Sequence, residues 1–230
     1  MMGLGSSFGI SAETGNNIQT DGLIFYLDGA YKKSYPGDGS TWIDLSDSGN
    51  HGTLTNGPTY NTDGYFDFDG SNDQVTMGTN PFLGGAQGTV EIVLSFDVLT
   101  NAFTEQPFLE FGSAANNLIR LYFIRNNNVC VGYYANDKIF SFAPNTDRIY
   151  HIVITEDGTG GVELFVDGVS IDTGNLATPN TTGNLFRIGT FNSTNGSFNG
   201  KIYLVRLYDR PLPISEVLQN YNALKERFGL

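Results

Sequence analysis

Trp42-Ile43-Asp44-Leu45-Ser46-Asp47-Ser48-Gly49-Asn50-His51-Gly52-Thr53-Leu54 is the stretch on which the fold turns. It joins an aromatic residue to an oxygen-rich turn, Asp44 to Asn50, whose short polar side chains can close onto the backbone as Asx-turns. Upstream, Gly22-Leu23-Ile24-Phe25-Tyr26-Leu27-Asp28 reads as a first strand ending in Leu-Asp. Downstream, Phe66-Asp67-Phe68-Asp69-Gly70-Ser71-Asn72-Asp73 carries a second turn, Phe-Asp-Gly-x-x-Asp. Trp42 is expected to pack under its own turn.

From Gly22 to Asp209 the rest is strand and turn. Thr89–Phe96 is a strand with little polar content, as expected when both faces are covered. Leu118–Ile124, Val129–Tyr134 and Lys138–Phe142 follow as three strands, with turns at Asn126–Asn128 and Ala135–Asp137. Ile149–Thr155 is a buried strand. In Val162-Glu163-Leu164-Phe165-Val166-Asp167-Gly168-Val169-Ser170-Ile171-Asp172, Asp167-Gly168 is a two-residue hairpin loop of the kind that needs positive φ. That register sets Val166 opposite Val169, Leu164 opposite Ile171 and Val162 opposite Thr173. Near the end, Val217, Leu218, Tyr221, Leu224 and Phe228 make one apolar stripe, so the spacing predicts a helix over 214–228. Glu216 in its first turn and Lys225 and Arg227 in its last suit the helix dipole. Gly229 can end it. Pro213 stands at the capping place, where it offers no side-chain cap, although Pro is tolerated at the start of a helix.

In order and spacing, these segments resemble a laminin-G-like, concanavalin-A-like lectin domain from Gly22 to Leu230. The resemblance rests on the Leu-Asp strand, the Trp-x-Asp-Leu-Ser-x-x-Gly-Asn turn, Phe-Asp-Gly-x-x-Asp, and Leu164-Phe165-Val166-Asp167-Gly168 behind Tyr150-His151. Tyr208-Asp209-Arg210-Pro211-Leu212 before Glu216-Val217 resembles the family's close. It implies an all-β fold: a two-sheet antiparallel jelly-roll sandwich with one C-terminal helix. Residues 21–230 form that domain, behind an arm of residues 1–20 that is polar, Gly-rich and without periodicity.

The composition agrees. A chain of 230 residues with 29 Gly, 17 Phe and 12 Tyr suits many short strands and tight turns in a single domain. Its 12 basic residues are scattered and its net charge is −12, which argues against nucleic acid and anionic membranes as partners. No window has the length of a membrane span. Cys130 is the single cysteine, excludes an intrachain disulfide and reads as a small buried hydrophobe. The start, Met1-Met2-Gly3-Leu4-Gly5-Ser6-Ser7, has neither a basic region nor an apolar run, so no secretion signal is expected.

Hydrolysis on this fold would need paired carboxylates on one strand, about 5–5.5 Å apart for a retaining mechanism. No Glu-x-Asp-x-(x)-Glu string exists, and Glu91 and Glu110 stand alone on apolar strands. The expectation is a protein that is not an enzyme. Calcium is the candidate cofactor. Asp28 and Asp209 end the first and last strands, which are neighbours in resembling domains. Their oxygens could converge with those of Asp44, Asp47 and Asn50 on the six to eight that Ca²⁺ takes. The alternative is that the turn residues form only Asx-turns and the other two cap strand ends. Asp44-x-Ser46-x-Ser48-Gly49 mimics an EF-hand start, but Thr55 stands where the bidentate Glu belongs. Among the aromatic residues of the middle hairpins, Tyr122, Tyr133 and Tyr134 are candidates for a sugar-stacking platform, against the plainer reading of core and ordinary surface. His51 and His151 lack ligand spacing and read as structural.

Lys33-Ser34-Tyr35-Pro36-Gly37 and Leu54-Thr55-Asn56-Gly57-Pro58-Thr59-Tyr60-Asn61 add a resemblance to the laminin-G-like proteins of environmental bacteriophages. It implies a non-catalytic virion protein, in capsid decoration or tail-fibre adhesion. Such a protein would be present in several copies, attached to other virion proteins through the arm, and able to bind glycans. The alternatives are a carbohydrate-binding module of a secreted bacterial glycan-active protein, hence extracellular, and a decoration protein with no ligand.

Overall fold

The computed structural model describes residues 18–82, 87–99, 105–112, 119–132, 136–146, 148–177, 181–191 and 196–230. The strands are β1 (Leu23–Asp28), β2 (Thr41–Trp42), β3 (Gly52–Thr55), β4 (Thr59–Asn61), β5 (Tyr65–Asp69), β6 (Gln74–Met77), β7 (Gln87–Phe96) and β8 (Gln106–Gly112). They continue as β9 (Ile119–Arg125), β10 (Asn128–Gly132), β11 (Asp137–Ile139), β12 (Ile149–Asp157), β13 (Gly161–Val166), β14 (Val169–Asn175), β15 (Phe186–Ile188) and β16 (Asn199–Tyr208). The helix α1 spans Ile214–Phe228, as the apolar spacing predicts.

Two antiparallel sheets result, the two-sheet sandwich expected from the sequence. One runs β14-β13-β12-β7-β16-β5-β4, with β1 also beside β16; the second runs β11-β10-β9-β8-β15-β6-β3-β2. Their inner faces share one core that includes Phe25, Trp42, Phe66, Ile92, Phe111, Ile152 and Leu207. Trp42 is fully buried beneath its turn, 4.5 Å from the Phe66 ring centroid.

The first sheet is also buried on its outer face, where α1 lies on it. Val153, Phe165 and Tyr208 meet Leu212 and Val217, while Tyr26, Val93 and Leu204 meet Leu224. A bulge between Ile202 and Leu204 lets β16 serve both layers. The extra residue shifts the two-residue alternation, so Ile202, Val205 and Leu207 face the core while Tyr203 and Leu204 face the helix.

The hairpin at Asp167-Gly168 forms with positive φ at both residues, 51° and 77°. A Cβ at Gly168 would lie 3.0 Å from Tyr221, so this turn admits α1 closely only as glycine. Its register is corrected beyond the tip. Val166 faces Val169 and Phe165 faces Ser170, but a bulge then sets Leu164 opposite Asp172 and Val162 opposite Gly174. The shift turns Asp172 toward the other sheet, where it pairs with Lys138 at 2.9 Å and accepts from the Ser141 amide.

At α1, Pro213 is the N-cap and supplies no side-chain bond, as its place before a helix over 214–228 implies; Gly229 ends the helix with φ 67°. The stripe also needs one correction. Leu218 is exposed, and Asn220, a polar residue the spacing overlooks, is fully buried. Only residues 18–20 of the arm are described. Ile18 packs with the residues around Leu224, so packing against the sandwich extends upstream of Asp21.

Candidate functional site

The five oxygens expected at one rim do not form one donor set. β1 and β16 are neighbours as expected, but antiparallel: Asp28 stands opposite Leu204, whereas the Asp209 amide bonds Gly22 O at the other end of β1. Five residues of strand separate them, about 17 Å at ~3.4 Å per residue. Asp28 is fully buried and already ion-paired: both Arg227 nitrogens reach it, at 2.7 and 2.5 Å, and the Tyr26 hydroxyl donates at 2.9 Å.

Asp44 is used up within its turn. Oδ1 accepts from the amides of Tyr26 and Ser46, and Oδ2 from the Ser46 and Ser48 hydroxyls and the Asn50 amide. Asn50 in turn ties the turn to Thr79, donating to its carbonyl and accepting from its amide. Asp47 and Asp209 are exposed. Among the described residues no group of three or more His, Cys, Asp or Glu is placed to hold a metal. The Asx-turn alternative describes Asp44, and the residues do not fit a shared calcium. Removing Ca²⁺ with a chelator is therefore expected to leave the melting temperature unchanged. Asp44→Ala, which strands buried amides, should cost about 2–3 kcal/mol with or without the ion. A melting temperature that falls on chelation would restore the metal.

The aromatic platform also needs correction. Tyr122 is buried between the sheets against Phe108 and Phe111, and its hydroxyl donates to Glu156 at 2.5 Å. Its ring faces protein on both sides and cannot stack on a sugar. Tyr133 and Tyr134 lie outside the described residues.

Two features escaped the sequence. The first is a charge cluster under α1. Glu91, fully buried on β7, lies 2.8 Å from His151 Nε2 and 3.3 Å from Arg206 Nη1; the Tyr208 hydroxyl is at 3.1 Å and Asn220 Nδ2 donates at 2.9 Å. Burial alone would raise the Glu91 pKa, but Arg206 and these donors outweigh it and hold the carboxyl down at about 2. Arg206 lies 4.6 Å above the Tyr26 ring, linking this cluster to Asp28 and Arg227. Burial pushes the Tyr26 phenol up to about 12, against the pull of Arg206. With every carboxylate paired and solvent excluded, the cluster is a fastening for the helix.

The second is the outer face of the second sheet. Cross-strand pairing sets Thr41 beside Thr53, Thr53 beside Thr76, Thr76 beside Arg187 and Arg187 beside Glu110. Inward-facing neighbours Trp42, Val75, Met77, Phe186 and Ile188 fill the core, which sends this row outward by the two-residue alternation. At about 4.8 Å per strand the row is about 19 Å long. Thr41 and Thr53 are exposed, Thr76 and Arg187 half-buried, and Glu110 buried, 3.4 Å from Arg187 Nε. Thr55 and Gln74 form a second pair on the same face. Hydroxyls, an amide and a guanidinium in line offer both donors and acceptors to a polyhydroxylated ligand. The signal was present in the sequence as Thr53 and Thr55 around Leu54, and Thr76 between Val75 and Met77.

A family model described as the concanavalin A-like lectin/glucanases superfamily matches residues 69–218. The Trp42 turn and the first strand precede that interval. No curated protein matches the chain. Among solved structures, the Trypanosoma rangeli sialidase in complex with sialic acid matches with a TM-score of 0.68 at 17% identity, over 93% of this chain and 35% of that one. The binding domain of botulinum neurotoxin serotype D matches with a TM-score of 0.65 at 16% identity, over 88% and 52%. The chain thus spans about a third of the sialidase and half of the toxin domain. These likenesses establish the lectin-like jelly-roll fold.

Proposed function

This chain belongs to the concanavalin A-like lectin/glucanases superfamily, and we propose that it is a non-catalytic domain that binds glycan on the Thr41–Arg187 row and is displayed from an assembly through its N-terminal arm. The observation that carries the reading is the polarity of the domain. Residues 18–21 are clamped beside α1 on the outer face of one sheet, and the polar row lies on the outer face of the other. An arm leaving the helix side turns the row away from whatever holds the arm. The fold fits this use, since the superfamily is one of lectins and glucanases and one matched structure is a toxin's binding domain. In this reading the assembly is a bacteriophage virion surface carrying several copies.

One observation favours a second setting. The match occupies only 35% of the sialidase chain, so a similar fold occurs as part of a longer protein, and a module of a secreted glycan-active protein would use the same row.

The test is retention on a glycan array. The wild-type domain is expected to be retained by at least one glycan class. Thr53→Glu with Thr76→Glu, which sets two carboxylates opposite each other at an exposed and a half-buried position, should weaken that binding at least tenfold, about 1.4 kcal/mol. The opposed charges should cost about 1 kcal/mol of stability, a few degrees of melting temperature. A folded wild type that no glycan retains would leave a decoration protein without ligand.

A further inference from the structure

The N-terminal strap and the C-terminal helix meet on one side chain. Asn220 Oδ1 accepts from the Gln19 amide at 2.7 Å. Its Nδ2 donates at 2.9 Å both to Glu91 Oε2 and to the Tyr208 hydroxyl, which lies 3.2 Å from Gln19 O. Asn220 is fully buried, so neither end of its amide can exchange its partner for water. Other contacts follow the same line. Arg210, ahead of α1, pairs with Asp21 at 3.0 Å, and Ile18 packs near Leu224 and Phe228. The strap from Ile18 to Asp21 therefore runs antiparallel to the helix, with its upstream end beside the helix C-terminus. The fully seated apolar residues of α1 are Val217 and Leu224, on either side of Asn220, while Ile214 and Leu218 are exposed and Pro213 gives no side-chain cap.

We propose that Asn220 couples the strap to α1, so that the two seat and release as one unit on the sandwich and a load or partner on the arm is felt at the helix. The coupling is independent of glycan binding. It is also reciprocal, as linkage requires: what loosens the strap loosens the helix, and the reverse. Local opening of such a unit needs less free energy than global unfolding.

Hydrogen exchange on the full chain tests it, read at the amides of residues 19–23 and 218–228 and at those of β7 and β12. Asn220→Leu removes both halves of the link. Gln19→Pro removes the strap's donor and leaves the helix sequence intact. Gln19→Pro is expected to speed exchange in both segments about tenfold, the loss of one net hydrogen bond to a buried group, and Asn220→Leu, which removes three side-chain bonds, by at least as much, while β7 and β12 keep wild-type protection. If Gln19→Pro accelerates the strap and leaves α1 at the wild-type rate, the coupling is refuted. Equal acceleration throughout β7 and β12 would refute it too, since the unit would then be the whole domain. Should Asn220→Leu fail to fold, the Gln19→Pro comparison decides alone.

Discussion

Glu91→Ala is expected to destabilise the domain by about 3–5 kcal/mol, the cost of breaking a buried ion pair by removing one partner. Arg206, fully buried, would keep its charge and lose its carboxylate, and His151, Tyr208 and Asn220 would lose their common acceptor. At about 2–4 °C per kcal/mol for a chain of this size, the melting temperature should fall by about 6–20 °C. The wild type adds a pH signature. The Glu91 pKa lies near 2 in the fold against an ordinary 4.5, held down by Arg206 and its hydrogen-bond donors against the opposing effect of burial. A depressed carboxyl contributes stability that is complete above the unfolded value and lost as pH falls through the folded one. This contribution should therefore be present at pH 5 and above, shrink between about 4.5 and 2, and be missing from Glu91→Ala. Thermal melts of both proteins from pH 7 to pH 2 check this, and parallel curves would remove Glu91 as the fastening.

Trp42→Ala should cost about 3–5 kcal/mol, as large-to-small changes in a closed core do. The ring is fully buried between the sheets and touches Phe66, and β2, only two residues long, has little else to hold it. Trp42→Phe separates packing from polarity. Trp42 Nε1 has no hydrogen-bond partner among the described residues, so the smaller ring loses volume but also an unsatisfied donor. Its cost should be under half that of alanine in chemical denaturation. An equal cost would mean that shape alone decides the site.

The sandwich was legible because strand patterning and turn chemistry are local. Asp167-Gly168 could be read as a positive-φ turn from two residues, and Val217 with Leu224 gave the helix its buried side. What failed was non-local. The bulges at Leu164/Phe165 and Ile202/Leu204 each cost one residue of register, which no pattern of alternation announces. Glu91 read as an isolated acid because its partners are scattered along the chain, 60 residues away at His151, 115 at Arg206 and 129 at Asn220. The acidic rim failed on direction: Asp28 and Asp209 end neighbouring strands, but antiparallel neighbours end at opposite edges. Tyr122 failed on parity. It faces inward, as Ile124 does two residues on, and only the pairing of β9 with β8 and β10 fixes which face that is.

If the domain binds glycan as proposed, the ligand meets the outer face of the second sheet. Titrating the isotope-labelled protein with a glycan retained on the array, and following its amide resonances, tests this most directly. The expected result is a set of shifts confined to Thr41, Thr53, Thr55, Thr76, Arg187 and their strand neighbours, saturating with ligand and absent from Thr53→Glu with Thr76→Glu. Saturating shifts on the α1 side, around Tyr65, Tyr203 and Lys201, with the threonine row unmoved would contradict it.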